Sequence, residues 1–359
     1  MPKAKEINQK NLVNSLNDLD KFVKLPKKTL KNLDLKIVLN QAIRLDIPKA
    51  TDKLMQKMKI DLNKRDKIVG KTILQQVIEN GSNKVFDFLV DKYQKEIDLG
   101  IKDNLGANVF DYAAKSGDQD KFNILLKIAD QQNFKIDFNA EGKLHSTIHY
   151  AVLGGNAGII KTLIALDVGI TTNDVKASKS IETESELARS LVKWHELLEQ
   201  LKDKNKAKNT QELEEKTDQF LKSRNSAVFI DAKDKSGSTL LNYAAIGNHV
   251  NVVENWITNG ANVNSVNPRK ETPLHNASCA QIAKILIRSG ANANAKNSAL
   301  ETPLHNAAFD DRSDVVNGLL SSGAKVNARG KNGGTPLYNA ALGTVNKGLQ
   351  SNRNNAILP

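Results

Sequence analysis

The sequence predicts an all-α solenoid of helix-turn-helix units with hairpin loops, interrupted by an inserted helical hairpin. A hexapeptide recurs at residues 272–277 (TPLHNA), 302–307 (TPLHNA) and 335–340 (TPLYNA), at spacings of 30 and 33 residues. Stripes of apolar residues with helical period follow the first two copies, and each stripe ends in glycine. Residues 176–226 break the period with a stretch rich in Glu, Lys, Leu and Gln.

The hexapeptide has the residue types that begin a short helix. Threonine at the N-cap accepts a hydrogen bond from a free backbone N–H group of the first turn. Proline at the first helical position loses no hydrogen bond, because its missing donor would be unpaired anyway. Leucine and alanine then face the core, and the His or Tyr ring is placed to tie one repeat's loop to the next. We therefore expect a short first helix in every unit.

Downstream of the hexapeptides, residues 290–294 (GANAN) and 323–327 (GAKVN) complete the repeating unit. Together these motifs resemble the ankyrin repeat. The resemblance implies units of two helices and a hairpin-like loop, and a concave protein-binding face made of loop tips and first helices. Asn264, Asn294 and Asn327 fall in these loops, where asparagine can bond its own backbone and tolerate left-handed φ.

Degenerate copies of the repeating unit, which we call worn copies, precede residues 176–226. Hexapeptide equivalents stand at residues 72–77, 108–113 and 146–151. Gly81, Gly117 and the pair Gly154-Gly155 are expected at the turns between helices, where positive φ favours glycine. A fainter copy is suggested in residues 36–66, with Leu39 and Ala42 at the third and sixth hexapeptide positions. Residues 1–35 carry a helical stripe of Leu12, Leu16, Leu19 and Val23. We interpret it as an N-terminal cap, with an amphipathic partner or membrane helix as the alternative.

The inserted stretch has the pattern of a helical hairpin. An apolar seam at spacings of three and four comprises Leu187, Leu191, Trp194, Leu198 and Leu201. A second stripe comprises Leu213, Thr217 and Phe220. Thr183 with Glu186, and Asn209 with Glu212, are candidate capping boxes, and residues 202–209 form the turn. The hairpin is either a packed decoration that bridges two halves of the solenoid or a projecting element that grips a partner.

These patterns divide the chain into four parts. Residues 1–66 are a helical cap with a degenerate repeat, 67–175 the N-terminal repeats, 176–226 the inserted hairpin, and 227–359 the C-terminal repeats with a terminal cap.

The composition bounds the class of protein. The formal net charge is +12, and residues 1–67 hold 17 basic and 8 acidic groups. We interpret this segment as a solvated lysine-rich face, because aromatic residues for base stacking are scarce; nucleic-acid binding is the less favoured alternative. The chain has one cysteine, Cys279, so no internal disulfide forms and a reducing compartment is expected. No apolar run of about 18 residues and no signal peptide is evident, which favours the cytoplasm or delivery into a host cytosol.

Few residues have the spacing that enzymatic chemistry needs. His145 and His149 are four apart, but His149 holds a framework position and no further ligand stands at metal spacing. His275 and His305 are framework positions as well, and Cys279 lacks the third, orienting group of a nucleophilic site. Phosphate-binding and nucleophile-elbow motifs are missing. We therefore expect no enzyme activity, no cofactor and no metal.

The resemblance places partner-binding residues on the C-terminal repeats. Loop tips are Lys235, Ser236, Arg269, Lys331 and Asn332; residues before the threonine are Ser238, Glu271 and Glu301. The position two after the motif alanine holds Leu153, Ile246, Cys279, Phe309 and Leu342, and Asp310 stands at the inter-helix turn. This row predicts a hydrophobic groove with a charged rim; packing against the neighbouring loop is the alternative.

These features favour a non-catalytic, monomeric scaffold that binds a protein partner. The lysine- and asparagine-rich array with an inserted hairpin is similar to ankyrin effectors that intracellular bacteria deliver into host cells, which implies a host protein as partner. The alternative is the targeting module of a larger enzyme whose catalytic domain lies outside this chain.

Overall fold

The computed structural model describes residues 35–138, 146–180, 185–203 and 209–355, the last ten of these by backbone only. The predicted stripe from Leu12 to Val23 and the candidate ligand His145 lie outside these residues. The chain divides into two compact units, Met1–Ile159 and Ile160–Pro359. All the regular structure in the described residues is helical apart from isolated bridges, so the predicted all-α class is confirmed.

The first unit is a stack of helix pairs. Its helices are α1 (Leu35–Arg44), α2 (Pro48–Met58), α3 (Ile73–Glu79), α4 (Asn83–Tyr93), α5 (Val109–Ser116), α6 (Gln119–Gln131) and α7 (Thr147–Leu153). The first helices α3, α5 and α7 pack on one another in order, and the second helices α2 and α4 do the same. The core is the row of side chains between these two layers, with Phe86, Phe110 and Phe122 fully buried.

Side-chain caps confirm the register of the worn copies. Thr72 accepts a hydrogen bond from the Gln75 backbone, and the Gln75 side chain accepts one from the Thr72 N–H group. Asn108 and Asp111 form the same reciprocal capping box, and Ser146 caps α7. Each cap satisfies a backbone donor that the first turn leaves open.

A left-handed residue ends the first helix of most repeats. It stands nine residues after the first hexapeptide position in the copies that begin near 37, 72, 108, 146, 239 and 302. The residues are Asp46, Gly81, Gly117, Gly155, Asn248 and Asp311, with φ between 55° and 72°. Only Gly, Asn and Asp occupy the position, in agreement with the low cost of left-handed φ for these types. The faint copy at residues 36–66 therefore has the same turn as the clear ones.

The second unit contains the clear repeats and the inserted hairpin. Its helices are α8 (Ala157–Ala165, which spans the division), α9 (Thr172–Lys179), α10 (Glu186–Lys202), α11 (Thr210–Leu221), α12 (Ser226–Phe229), α13 (Leu240–Ile246), α14 (Val250–Thr258), α15 (Ala280–Arg288), α16 (Pro303–Phe309), α17 (Ser313–Ser321) and α18 (Pro336–Asn355).

The inserted hairpin stacks as if it were another repeat. Helix α10 packs on the first helix α13, and α11 packs on the second helix α14. All five seam residues from Leu187 to Leu201 are buried, as are Leu213, Thr217 and Phe220. The hairpin is therefore packed on the repeats that follow it, and its role in partner binding stays a prediction. Ser185 caps α10, and the candidate cap Thr183 lies outside the described residues. Asn209 caps α11 as predicted.

The clear repeats keep the predicted turns with one exception. Gly260, Gly290 and Gly323 end the second helices with φ of 95°, 91° and 82°. In the repeat that begins at Thr272, the first helix is a single 3₁₀ turn, Pro273–Asn276, and α15 begins at Ala280. This repeat is three residues shorter than the next, so no room remains for a full α-helix and its turn. The last hexapeptide opens α18, one helix of 20 residues without an inter-helix turn.

Candidate partner-binding face

Three loop tips of the second unit, those that begin at residues 234, 267 and 297, are built on one Asx residue each. The Oδ1 atom of Asp234 accepts hydrogen bonds of 3.0 Å from the N–H groups of Ser236 and Ser238. Asn267 does the same for Arg269 and Glu271, at 2.9 and 3.0 Å, and Asn297 repeats the arrangement. Because the Asx side chain holds the loop from inside, the residues between face solvent.

Backbone hydrogen bonds join successive tips into a row. The Ser298 N–H group donates to the Arg269 carbonyl at 2.7 Å, and the Lys331 N–H group donates to the Ala299 carbonyl at 2.7 Å. The tips are therefore a rigid, regularly spaced surface before any partner arrives, which lowers the entropic cost of binding.

Histidines tie each repeat to the following loop, as the sequence predicts. The Nδ1 atom of His275 accepts from the Thr272 N–H group at 3.1 Å, and its Nε2 atom donates to the Glu301 carbonyl at 3.1 Å. His305 makes the equivalent bonds to Thr302 and to the Gly334 carbonyl. Burial lowers the pKa of His275 below its ordinary 6.5, although the hydrogen bond at Glu301 opposes this. The ring is thereby kept neutral, with the proton on Nε2.

Asparagines tie the hairpin loops in a second ladder. The Nδ2 group of Asn264 donates to the Gly290 carbonyl at 3.0 Å, and its Oδ1 atom accepts from the Asn292 N–H group at 3.0 Å. Asn294 makes the same pair of bonds to the loop at Gly323 and Lys325. Our prediction that these asparagines bond their own backbone was wrong for Asn264 and Asn294, because their side chains cross to the next repeat.

The predicted apolar row is open to solvent at three of its four C-terminal positions. Ile246, Phe309 and Leu342 are 49%, 39% and 39% exposed. Phe309 and Leu342 are neighbours, because the backbone of Gly343 lies against the Phe309 carbonyl. Cys279 departs from the row: it is half-buried and lies at the N-cap position of α15, since its repeat lacks a full first helix.

Charged residues surround this row unevenly. Lys235, Arg269 and Lys331 are exposed at the tips, with Ser236 and Asn332 beside them. The acidic residues are engaged: Glu271 accepts from the Asn267 side chain and Glu301 from the Asn339 side chain, both at 2.9 Å. Asp310 is paired with Arg312 at 2.7 Å, and Ser238 is half-buried. The solvent-facing charge of the tips is therefore mainly positive.

An ion pair between exposed Lys202 and buried Asp234, which the sequence did not reveal, connects the hairpin to the first clear repeat. The Lys202 Nζ atom lies 2.6 Å from the Asp234 Oδ2 atom, which also accepts from the Tyr243 hydroxyl at 3.0 Å. Burial favours a higher pKa for Asp234, but hydrogen bonds from Lys202, Ser236 and Ser238 outweigh it and hold the pKa below 3.8. Lys202 was read only as part of a turn, because the contact depends on how α10 stacks.

The described residues contain no cluster of three or more His, Cys, Asp or Glu side chains that could hold a metal ion. His149 is buried at the start of α7. None of the helices that the structure describes is long and apolar enough to cross a bilayer. What the second unit presents is a fixed surface of cationic tips and apolar first-helix residues.

Comparison with known families agrees with this geometry. A family model described as ankyrin repeats (3 copies) matches residues 148–297 and 241–330, which together cover about half of the chain. Comparison with curated proteins gave no significant match. The matched residues include the first helices α13 and α16, the loop tips that begin at residues 234, 267 and 297, and the inserted hairpin. Ankyrin repeats indicate a protein–protein interaction module, and the chain belongs to the ankyrin-repeat family.

Proposed function

We propose that the chain is a non-catalytic scaffold that binds a protein partner on the face formed by the loop tips and first helices of the second unit. The observation that carries the proposal is the row of Ile246, Phe309 and Leu342, which leaves large apolar side chains exposed beside rigid cationic tips. Exposed apolar residues rimmed by polar groups are typical of interaction sites.

The two parts of this face have different tasks. Apolar side chains at the centre of an interface supply most of its binding energy. The tip residues Lys235, Arg269 and Lys331 lie at the rim, where charge mainly sets association rate and specificity. The resemblance to effector proteins makes a host protein the proposed class of partner, and that part of the proposal rests on composition alone.

Replacing Ile246 or Phe309 by alanine tests the proposal. Each change removes apolar contact area and is expected to weaken partner binding about tenfold. Proteins captured by the wild-type chain are identified by mass spectrometry, purified, and their affinities measured by isothermal titration calorimetry. Leu166→Ala is the matched control, because Leu166 is 48% exposed and lies after the second helix α8, away from the tips.

All three variants are expected to lose less than about 1 kcal/mol of unfolding free energy, because the changed side chains are only partly buried. A purified partner that binds the Ile246→Ala and Phe309→Ala variants as tightly as it binds wild type would show that the row is not its site.

A further inference from the structure

The loop tips of the first unit carry apolar residues where the second unit carries polar and charged ones at 234–238 and 267–271. Ile68, Val69 and Leu105 are 87%, 45% and 59% exposed. The equivalent tips of the second unit hold Lys235, Ser236 and Arg269. The first-unit residues lie within or beside loops, so no helix of the described repeats needs them for its own packing.

These apolar tips are held rigidly. The Oδ1 atom of Asp66 accepts from the N–H groups of Ile68 and Val69 at 2.8 and 2.9 Å. The Oδ1 atom of Asp103 accepts from the Leu105 N–H group at 2.8 Å. The two loops are joined directly, because the N–H group of the residue before Leu105 donates to the Val69 carbonyl at 3.2 Å. The three aliphatic side chains therefore form a preformed platform.

The platform borders a pocket of about 300 Å³. Ile68, Val69 and Leu105 form one wall, and Tyr112 of α5 and Tyr150 of α7 are buried beneath it. The Tyr112 hydroxyl donates to the Asp103 Oδ2 atom at 2.7 Å, which fixes the ring. Burial raises the pKa of Tyr112 above 10, with the Asp103 hydrogen bond adding to it. The floor is therefore a neutral aromatic surface that suits a large apolar side chain.

The opposite wall supplies a positive charge. Lys71 is paired with Glu79, at 2.7 and 2.6 Å from its two oxygens. Asp103 and Asp111 are buried and accept hydrogen bonds from within the unit. Lys115, in the last turn of α5, is exposed and has no ion pair among the described residues. The lining thus carries both signs of charge, and Lys115 is its exposed charged side chain without an ion pair among the described residues.

We propose that this pocket binds an acidic peptide segment of a partner protein. One large apolar side chain of the segment enters between the tips and the two tyrosines, and a neighbouring carboxylate pairs with Lys115. The exposed Lys67 and Lys102 lie close to the apolar tips in the sequence. Their positive charges also favour a negatively charged peptide. This surface extends the proposed protein-binding function to the first unit and does not use Ile246, Phe309 or Leu342.

Short synthetic peptides test the proposal with the full chain. One set carries a single Leu or Phe flanked by Glu; a second set has Lys in place of Glu, and a third has Ala in place of the Leu or Phe. Binding is followed by fluorescence anisotropy. We expect the Glu-flanked apolar peptides to bind, and the other two sets to bind at least about tenfold more weakly.

Point variants locate the site. Leu105→Ala and Lys115→Gln are each expected to weaken the Glu-flanked peptide by about tenfold. Their matched controls are Ile37→Ala, at an exposed isoleucine of α1, and Lys95→Gln, at an exposed lysine beyond α4; both should bind as wild type does. Thermal melting checks that each variant is folded.

Three outcomes would overturn the proposal: no peptide set binds, the Lys-flanked set binds as well as the Glu-flanked set, or Leu105→Ala and Lys115→Gln leave the affinity unchanged. The double variant Ile246→Ala/Phe309→Ala separates this inference from the function proposed for the second unit. It should bind the Glu-flanked peptide normally, whether or not the second unit binds its own partner.

Discussion

Single residues at the inter-helix turns decide whether a repeat can close. Gly81 and Gly117 both adopt left-handed φ, of 72° and 68°. Their surroundings differ: a Cβ atom at Gly81 would meet nothing within 4 Å, whereas one at Gly117 would collide with the Gly154 carbonyl. Gly117 therefore serves both the turn and the close approach of the next repeat.

This difference predicts unequal costs for the same substitution. Gly81→Ala should lower the free energy of unfolding by about 1 kcal/mol, the cost of left-handed φ for alanine. Gly117→Ala should cost at least about 3 kcal/mol, because a backbone carbonyl must also move. Urea unfolding followed by circular dichroism measures both. Equal losses of unfolding free energy for the two variants would mean that the next repeat moves away from Gly117 at no cost.

The pKa of His275 predicts how stability changes with pH. Burial holds this pKa below 6.5 in the folded chain, so near pH 6 the unfolded chain binds more protons. The free energy of unfolding should therefore fall as the pH is lowered from 7.5 to 5.5. His195 and His249, whose pKa values burial also lowers, act with the same sign.

Urea midpoints at the two pH values test the contribution of His275. His275→Gln keeps a capping group, as Gln75 does in its own repeat, and removes the titration. The urea midpoint of the variant should change less between pH 7.5 and 5.5 than that of wild type. Asp52, Asp66, Asp118 and Asp234, with pKa values held below 3.8, lose their contribution only at lower pH. If the urea midpoint changes with pH equally in variant and wild type, His275 does not contribute to the pH dependence of stability.

At the scale of elements, the inserted hairpin is part of the stack. Phe220 of α11 lies parallel to Trp256 of α14, with ring centroids 5.6 Å apart, and both are buried. Lys202 of α10 and Asp234 add an ion pair at the other helix layer. Helices α10 and α11 therefore cover faces of α13 and α14 that would otherwise be exposed.

The contribution of this packing can be measured with one aromatic residue. Phe220→Ala should cost about 3–5 kcal/mol of unfolding free energy, the range for a buried phenylalanine. Phe309→Ala is its control, because Phe309 is 39% exposed and should cost less than about 1 kcal/mol. If both variants lose less than about 1 kcal/mol of unfolding free energy, the packing of α11 on α14 does not stabilise the fold.

The sequence predicted elements whose signals are local. The Thr-Pro pairs at 272 and 302, the seam from Leu187 to Leu201, and the glycines that end second helices all act through neighbouring residues, and the structure confirms them. The 3₁₀ turn after Thr272 was not predicted, although the spacing of 30 residues to the next hexapeptide shows that this repeat is short. The bonds of Asn264 and the Lys202–Asp234 pair depend on contacts between repeats, which spacing along the chain does not encode.

For the whole molecule, the repeat architecture followed from the sequence more readily than the location of binding surfaces. The clear hexapeptides directed the site prediction to the C-terminal half. The sequence prediction did not include Ile68, Val69 and Leu105, because their repeats match the hexapeptide poorly. An aliphatic residue between an Asx residue and a glycine could have identified these loop tips. The formal net charge of +12 favours acidic partners for either unit through long-range attraction.

The single long helix α18 shows how the periodic pattern comes to a stop. Nine residues after the last N-cap threonine stands Thr344, where earlier repeats have Gly, Asn or Asp. A β-branched side chain is strongly disfavoured in left-handed backbone, so the chain continues as helix and does not reverse direction. The change of side-chain type at this position therefore agrees with the continuous backbone of α18, which has no inter-helix turn.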